Sequence, residues 1–382
     1  MQLRPGRPEE AGASPERVAR VAALCERWVH DGLTPALVVL VARRGVIFLH
    51  EAFGRLRPDS DAPVQRDSIY PLASVSKPLT ATALMCLVED GLVGLNRPVC
   101  EYVPAFNGAG REKITVRHLL THTSGMHDDD TTALAEQQQG KIDIAPPEPT
   151  QHPAINEFVQ MRMGAPVRQP PGVEMNYFNF GYTLLGEIVR RVSGRRFEDF
   201  CRERVFAPLG MDDTYFTVPA AVSGRVVKRR EGTPYDWWNS ADNEEWPGPA
   251  GGGFSTALDM ARFGQMFLNG GSYDGARVLS SATVAAMTRD QTGIRMQLPS
   301  DETDFPNCPY GLGWFIFGED TSRRSGGLWS RRAFGHTGSG GVMVWVDPAY
   351  EVVGVFFFAQ LAEEVWTGDL FANAVTASMV EH

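Results

Sequence analysis

The sequence predicts an α/β fold of the α+β kind: an antiparallel sheet assembled from both chain ends and flanked by helices, with a mainly helical lobe between them. Three observations carry this. β-rich runs stand near the start, at residues 36–42 and 46–53, and a second set fills 311–317, 332–336, 341–346 and 352–359. Between them, from about residue 74 to 271, helical periodicity dominates. At 382 residues the chain is read as one unit, 1–382, with a sheet lobe of 1–73 plus 272–382 and a helical lobe of 74–271.

Each element has a local reason. Ser14-Pro15 is a helix start, and Val18, Val21, Ala22, Cys25, Trp28 and Val29 recur at helical spacing until Gly32. Arg43-Arg44-Gly45 between the first two β-rich runs reads as a hairpin turn, and Asp347-Pro348 as the turn between the last two. Apolar stretches at 80–93 and 183–192 predict buried helices, and a closing helix is expected over about 361–380. Two stretches look irregular: 127–171 is rich in Asp, Gln and Pro, and 232–253 holds Trp237, Trp238 and Trp246 among glycines and prolines. Loops this long in a compact domain are commonly functional, so both are expected near a cleft.

Composition excludes several function classes. A formal charge of −10 repels phosphate backbones and anionic lipid, so neither nucleic acid nor membrane is an expected partner. Residues 1–13 carry Arg4, Arg7, Glu9 and Glu10 without an apolar run behind them, and no stretch is long enough to span a bilayer; a cytoplasmic location is the expectation. Cys25, Cys86, Cys100, Cys201 and Cys308 are scattered, with no Cys-x-x-Cys pair, and read as reduced thiols. Lysine is scarce (Lys77, Lys113, Lys141, Lys228), so a lysine inside a motif is informative.

Lys77 is such a lysine. In Ser74-Val75-Ser76-Lys77, three residues at 100° each return the amine to the face of the hydroxyl, at the start of the central apolar helix. Pro78 suits a first helical turn. A buried lysine loses basicity by desolvation and can take a proton from serine, while the helix N-terminus favours the developing negative charge. Alone, the pair would read as a capping serine and a solvated lysine. Downstream, Tyr177-Phe178-Asn179 precedes a helix, and His336-Thr337-Gly338 ends a predicted strand, followed by Ser339-Gly340-Gly341.

With these three segments in this order, the chain resembles the serine β-lactamase and penicillin-binding protein superfamily, whose signatures are Ser-x-x-Lys, Tyr-x-Asn and a Lys- or His-Thr-Gly strand. The likeness extends to Leu119-Leu120-Thr121-His122-Thr123-Ser124-Gly125-Met126, Pro208-Leu209-Gly210-Met211 and Tyr310-Gly311-Leu312-Gly313-Trp314, so it covers nearly the whole chain. The resemblance implies a β-lactamase/transpeptidase-like fold, with Ser74 as acylated nucleophile, Lys77 as its base partner and Tyr177 as proton shuttle. It further implies that Asn179 steadies Lys77, that His336, Thr337 and Gly338 line the site, and that the N–H groups of Ser74 and Ser339 form an oxyanion hole. A phenol beside an ammonium has a lowered pKa, so Tyr177 and Lys77 are expected to share one proton, with the formal base left open.

Among the branches, the chain resembles most the β-lactamase-like carboxylesterases called family VIII. His336 stands where a lysine would give β-lactams a permanent cation, so short-chain esters are the expected substrates and β-lactamase activity is expected to be weak or absent. Alternatives are an acyltransferase to an alcohol, a β-lactamase, a D-alanyl-D-alanine carboxypeptidase-type amidase, and least of all a non-catalytic binding protein. Trp237 and Trp238 read either as an acyl pocket or as loop packing. His122 reads as a structural hydrogen-bonder, and Asp128-Asp129-Asp130 as a solvated acidic turn in preference to a metal site. The reading therefore calls for a small-molecule ester and no metal or cofactor; it gives no oligomeric state. A Ser-His-Asp α/β-hydrolase is excluded, because no Gly-x-Ser-x-Gly occurs.

Overall fold

The computed structural model describes residues 1–233, 236–294, 309–319, 327–360 and 367–380. In chain order the elements that position the site are β1 (Arg4–Pro5), α1 (Pro15–His30), β2 (Ala36–Arg43), β3 (Val46–Gly54), α2 (Ser76–Glu89), α3 (Val116–Leu120), α4 (Asp128–Gln138), α5 (Pro153–Gln160), α6 (Asn179–Ser193), α7 (Ala257–Leu268), β4 (Phe334–Gly338), β5 (Val342–Asp347), β6 (Val352–Phe358) and α8 (Thr367–Ser378).

The six strands form one sheet in the order β1-β3-β2-β6-β5-β4, so the two chain ends meet where β2 pairs with β6, Leu40 opposite Val355. The expectation of an antiparallel sheet needs one correction: the short β1 runs parallel to β3, Arg4 beside Val46. The β2-β3 hairpin turns at Arg44 and Gly45, whose φ angles of 50° and 75° give the two left-handed residues that a tight hairpin needs.

β2 is buried along its whole length because both faces of the sheet are covered. Leu37, Val39 and Val41 pack with Val18, Val21, Cys25 and Trp28 of α1 and Phe371 and Val375 of α8. Val38, Leu40 and Ala42 face the other way, into the core that holds α2 and Met260, Phe263, Met266 and Phe267 of α7. α2 is buried from Ser76 to Leu87, which explains why its sequence is apolar all round and not one-faced.

Three expectations are revised. Residues 127–171 contain α4 and α5, because His127 and His152 begin regular turns within a polar sequence. Residues 232–253 contain a one-turn helix, Asp236–Asn239, and a short α-helix, Ala241–Glu245. The expected strand at 311–317 is a turn with isolated bridges, Tyr310 to Phe315 and Phe315 to Gly335. Gly313, at φ 92°, turns the chain against α2, where a side chain would strike Ala81. The closing helix begins at Thr367; its expected first residues, 361–366, and Cys308 lie outside the described residues. The four described cysteines are free, three of them buried. No helix among the described residues is long and apolar enough to cross a membrane.

Candidate active site

The site begins with a turn that is short of α-helix. Ala73–Val75 form a single 3₁₀ turn and α2 starts at Ser76, so Ser74 sits two residues ahead of the helix and not within it. Ala73 adopts φ 46°, a conformation costly for a residue with a side chain, and its neighbours hold it there. Ser76 Oγ donates to Ala73 O at 2.6 Å and accepts from Gly253 N at 2.9 Å, and Leu72 N donates to Gly253 O at 2.8 Å. The loop before α7 is thus tied to the turn that presents Ser74.

Lys77 Nζ, fully buried, donates to Ser74 Oγ at 3.0 Å, Asn179 Oδ1 at 2.8 Å and Ala250 O at 2.9 Å. Three acceptors match its three donors. Burial nevertheless dominates its chemistry and lowers its pKa from 10.5 to about 7, against an upward pull from Asp128.

Tyr177, just ahead of α6, brings its ring under Lys77, with Nζ 4.6 Å from the ring centroid. Its phenol pKa is raised well above 10, first by desolvation, with a Ser74 hydrogen bond opposing. This departs from the expectation of a lowered phenol pKa: burial outweighs the neighbouring ammonium. His122 stacks on Tyr177, centroids 4.3 Å apart, and its Nδ1 accepts from Phe178 N at 3.0 Å. Desolvation holds its pKa well below 6.5, so it acts as a neutral brace.

His336 does not line the cleft. It is fully buried, donates from Nδ1 to Thr337 O at 2.7 Å and accepts at Nε2 from the Tyr310 hydroxyl at 3.1 Å. Desolvation first, then the Lys77 charge, bring its pKa down to about 3, leaving it neutral. Thr337 and Ser339 are the part-exposed residues of the strand end, and Gly338 between them is buried. A side chain at Gly338 would meet Leu72 O at 2.4 Å, so glycine permits β4 to lie against the Ser74 turn.

The two tryptophans divide. Trp238 is buried with the Arg229 guanidinium 4.2 Å from its ring, whereas Trp237 is 59% exposed. Arg229 in turn lies against Gly340, where any side chain would overlap it. Trp238 therefore supports the strand end from behind; among the described contacts neither indole touches Ser74, Lys77 or Tyr177.

Sequence reasoning missed two parts of the site. Ala250 contributes only a carbonyl, which no side-chain pattern reveals. Asp128, expected in a solvated turn, accepts at Oδ2 from Asn179 N (2.8 Å) and Asn179 Nδ2 (2.7 Å) and at Oδ1 from Phe180 N (3.1 Å). Asp130 pairs with Arg168, so only Asp129 of the three is exposed. The sole signal for Asp128 was its place shortly after the Leu119–Met126 motif.

A hydroxyl, a depressed amine and a protonated phenol thus meet at one cleft, beside a strand end with two part-exposed residues. The Beta-lactamase family model matches residues 21–377. The chain belongs to the Beta-lactamase family. Penicillin-binding protein 4 of Amycolatopsis lactamdurans is 31% identical over 283 residues, covering 71% of this chain and 69% of that protein. A family VIII carboxylesterase superposes with a TM-score of 0.73 at 21% identity, covering 95% of this chain and 98% of the other. EstCE1, described as a hydrolase with promiscuous acyltransferase activity, gives 0.75 at 19% identity, with 96% and 99% covered. At these identities the two structures carry the fold, which is that of the Beta-lactamase family. The membership makes this chain a serine hydrolase of the β-lactamase and penicillin-binding protein group.

Proposed function

We propose that this Beta-lactamase family hydrolase is a carboxylesterase that acylates Ser74 and prefers short-chain esters to β-lactams. The observation that carries the reading is Lys77: an amine 3.0 Å from Ser74 Oγ whose pKa lies near 7, so that a large fraction is neutral at physiological pH. As Ser74 Oγ bonds to the ester carbonyl carbon, Lys77 takes the hydroxyl proton. The carbonyl oxygen becomes anionic and meets the N–H groups of Ser74 and Ser339. When the C–O bond breaks, the Tyr177 phenol protonates the leaving alkoxide, and the proton held by Lys77 restores the phenol. Water then attacks the acyl-enzyme along the same path in reverse, releasing the acid and regenerating Ser74.

Ester preference rests on His336, which is neutral and buried and so gives a β-lactam carboxylate no cation from the strand motif. A second reading, amide or β-lactam hydrolysis, draws on the likeness to Penicillin-binding protein 4 of Amycolatopsis lactamdurans. The likeness to EstCE1 adds acyl transfer to an alcohol as a variant of the same chemistry. The test is steady-state turnover of a p-nitrophenyl ester and of nitrocefin, with and without an added alcohol. The ester is expected to be hydrolysed faster, with Ser74→Ala lowering kcat/KM by at least about a thousandfold. Faster nitrocefin hydrolysis at neutral pH would move the assignment to β-lactamase, and product formed only with the alcohol would move it to acyltransferase.

A further inference from the structure

Asn179 has two chemically opposite ends. As an ammonium Lys77 offers only donors, and as a neutral amine it turns its lone pair to Ser74, so in either form it needs the amide oxygen of Asn179 and not the NH₂. An amide can turn end for end within the same space, so the choice is firm only where a second partner also tells the two ends apart. The lock is Asp128: its Oδ2 accepts from both the Nδ2 and the backbone N of Asn179, while Oδ1 accepts from Phe180 N. A carboxylate accepts only, so it demands the NH₂ end and leaves Oδ1 for Lys77, 2.8 Å away.

We propose that Asp128 is a positioning residue of this site: its carboxylate fixes which end of the Asn179 amide faces Lys77 and so keeps the amine in line with Ser74. The proposal rests on the reading of Ser74 and Lys77 given above. Asp128 touches no reacting atom; it acts through Asn179. Its charge has a second effect, because it favours the ammonium form against the desolvation that lowers the Lys77 pKa. The other groups around Lys77 are Tyr177 and Tyr182, whose ring faces it meets, and His122 and His336, on which it exerts a charge effect. Both histidines are held neutral, so Asp128 is the anion that Lys77 feels. On its outer side Asp128 interacts with Arg162 of the segment after α5, whose own charge it stabilises.

Two substitutions separate the effects. Asp128→Asn keeps a carbonyl that can accept from Asn179 but removes the charge; Asp128→Ala removes both. Asp128→Ala is expected to lower kcat for a p-nitrophenyl ester about tenfold or more with little change in KM, because a slightly misplaced base is costly. Asp128→Asn is expected to recover most of that kcat while moving the acid limb of the kcat/KM profile down by about half a unit or more. Thermal melts accompany both, because Asp128 also caps α6; should Asp128→Ala not fold, Asp128→Asn still decides through the pH limb. An unshifted limb with wild-type kcat in folded variants overturns the proposal, and so does a loss of stability alone. Ser74→Ala is the control: if it stays active, the underlying reading fails, whereas an inactive Ser74→Ala beside unaltered Asp128 variants sinks only this inference.

Discussion

At the scale of single residues, Lys77 and Tyr177 share one environment and respond to it oppositely. Desolvation penalises charge, so it pushes the amine toward its neutral form and the phenol toward its protonated form. At neutral pH this suits Lys77 to accept a proton and Tyr177 to donate one. The sequence alone leaves that choice open, because it turns on how far each group is desolvated in the fold. Tyr177→Phe is accordingly expected to lower kcat about a hundredfold or more, with the acid limb of the profile still near pH 7. Disappearance of that limb in Tyr177→Phe would make the phenol the base. Legibility at this scale had two sources: spacing and residue type drew attention to Ser74 and Lys77, and the family resemblance to Tyr177 and Asn179, and these four side chains lie together in the structure. Asp128 and the Ala250 carbonyl were not readable, since an acidic residue after a turn and a backbone oxygen look like any others.

At the scale of elements, the site depends on three pieces of chain approaching closely: the Ser74 turn, the loop at 249–253 and the end of β4. The glycines at 338 and 253 set how closely they approach. A Cβ on Gly253 would meet Ser76 Oγ at 2.7 Å, and one on Gly338 would meet backbone, which cannot rotate away. Gly338→Ala is therefore expected to destabilise the protein by about 1–3 kcal/mol and to lower kcat/KM about tenfold or more, as β4 moves off the Ser74 turn. Denaturant melts and ester kinetics on one preparation check this, and wild-type values in both would show that β4 tolerates the displacement. The long strands β2, β3, β5 and β6 and helices α1, α2 and α6 were legible from periodicity, within a few residues at their ends. Residues 311–317 were not: their apolar and aromatic content suits a strand, but Gly311 and Gly313 let the chain turn against α2 instead. α4 was hidden by polar composition, because it has almost no apolar face, whereas α5 does bury Ile155 and Val159 on one face but is only two turns long and follows a Pro-rich stretch.

At the scale of the whole molecule, the Ser74 turn and the strand end at Gly338 come together because the sheet is closed by strands from both ends of the chain. β2 and β6 pair at its centre, α7 lies on one face beside α2, and β4 at the sheet edge reaches the Ser74 turn. Packing then removes water from Lys77 and lowers its pKa to about 7, which in the proposed mechanism lets it serve as a base near neutrality. Only the neutral amine can accept a proton, and the ammonium dominates as pH falls through about 7, so activation of Ser74 must weaken in that direction. The rate at which a fluorophosphonate labels the protein between pH 5 and 10, with the modified residue located by mass spectrometry, tests this directly. The expected result is a label on Ser74 whose rate rises about tenfold per pH unit below 7 and levels off above it. A label on another residue, or a rate still climbing toward pH 10, would contradict the account.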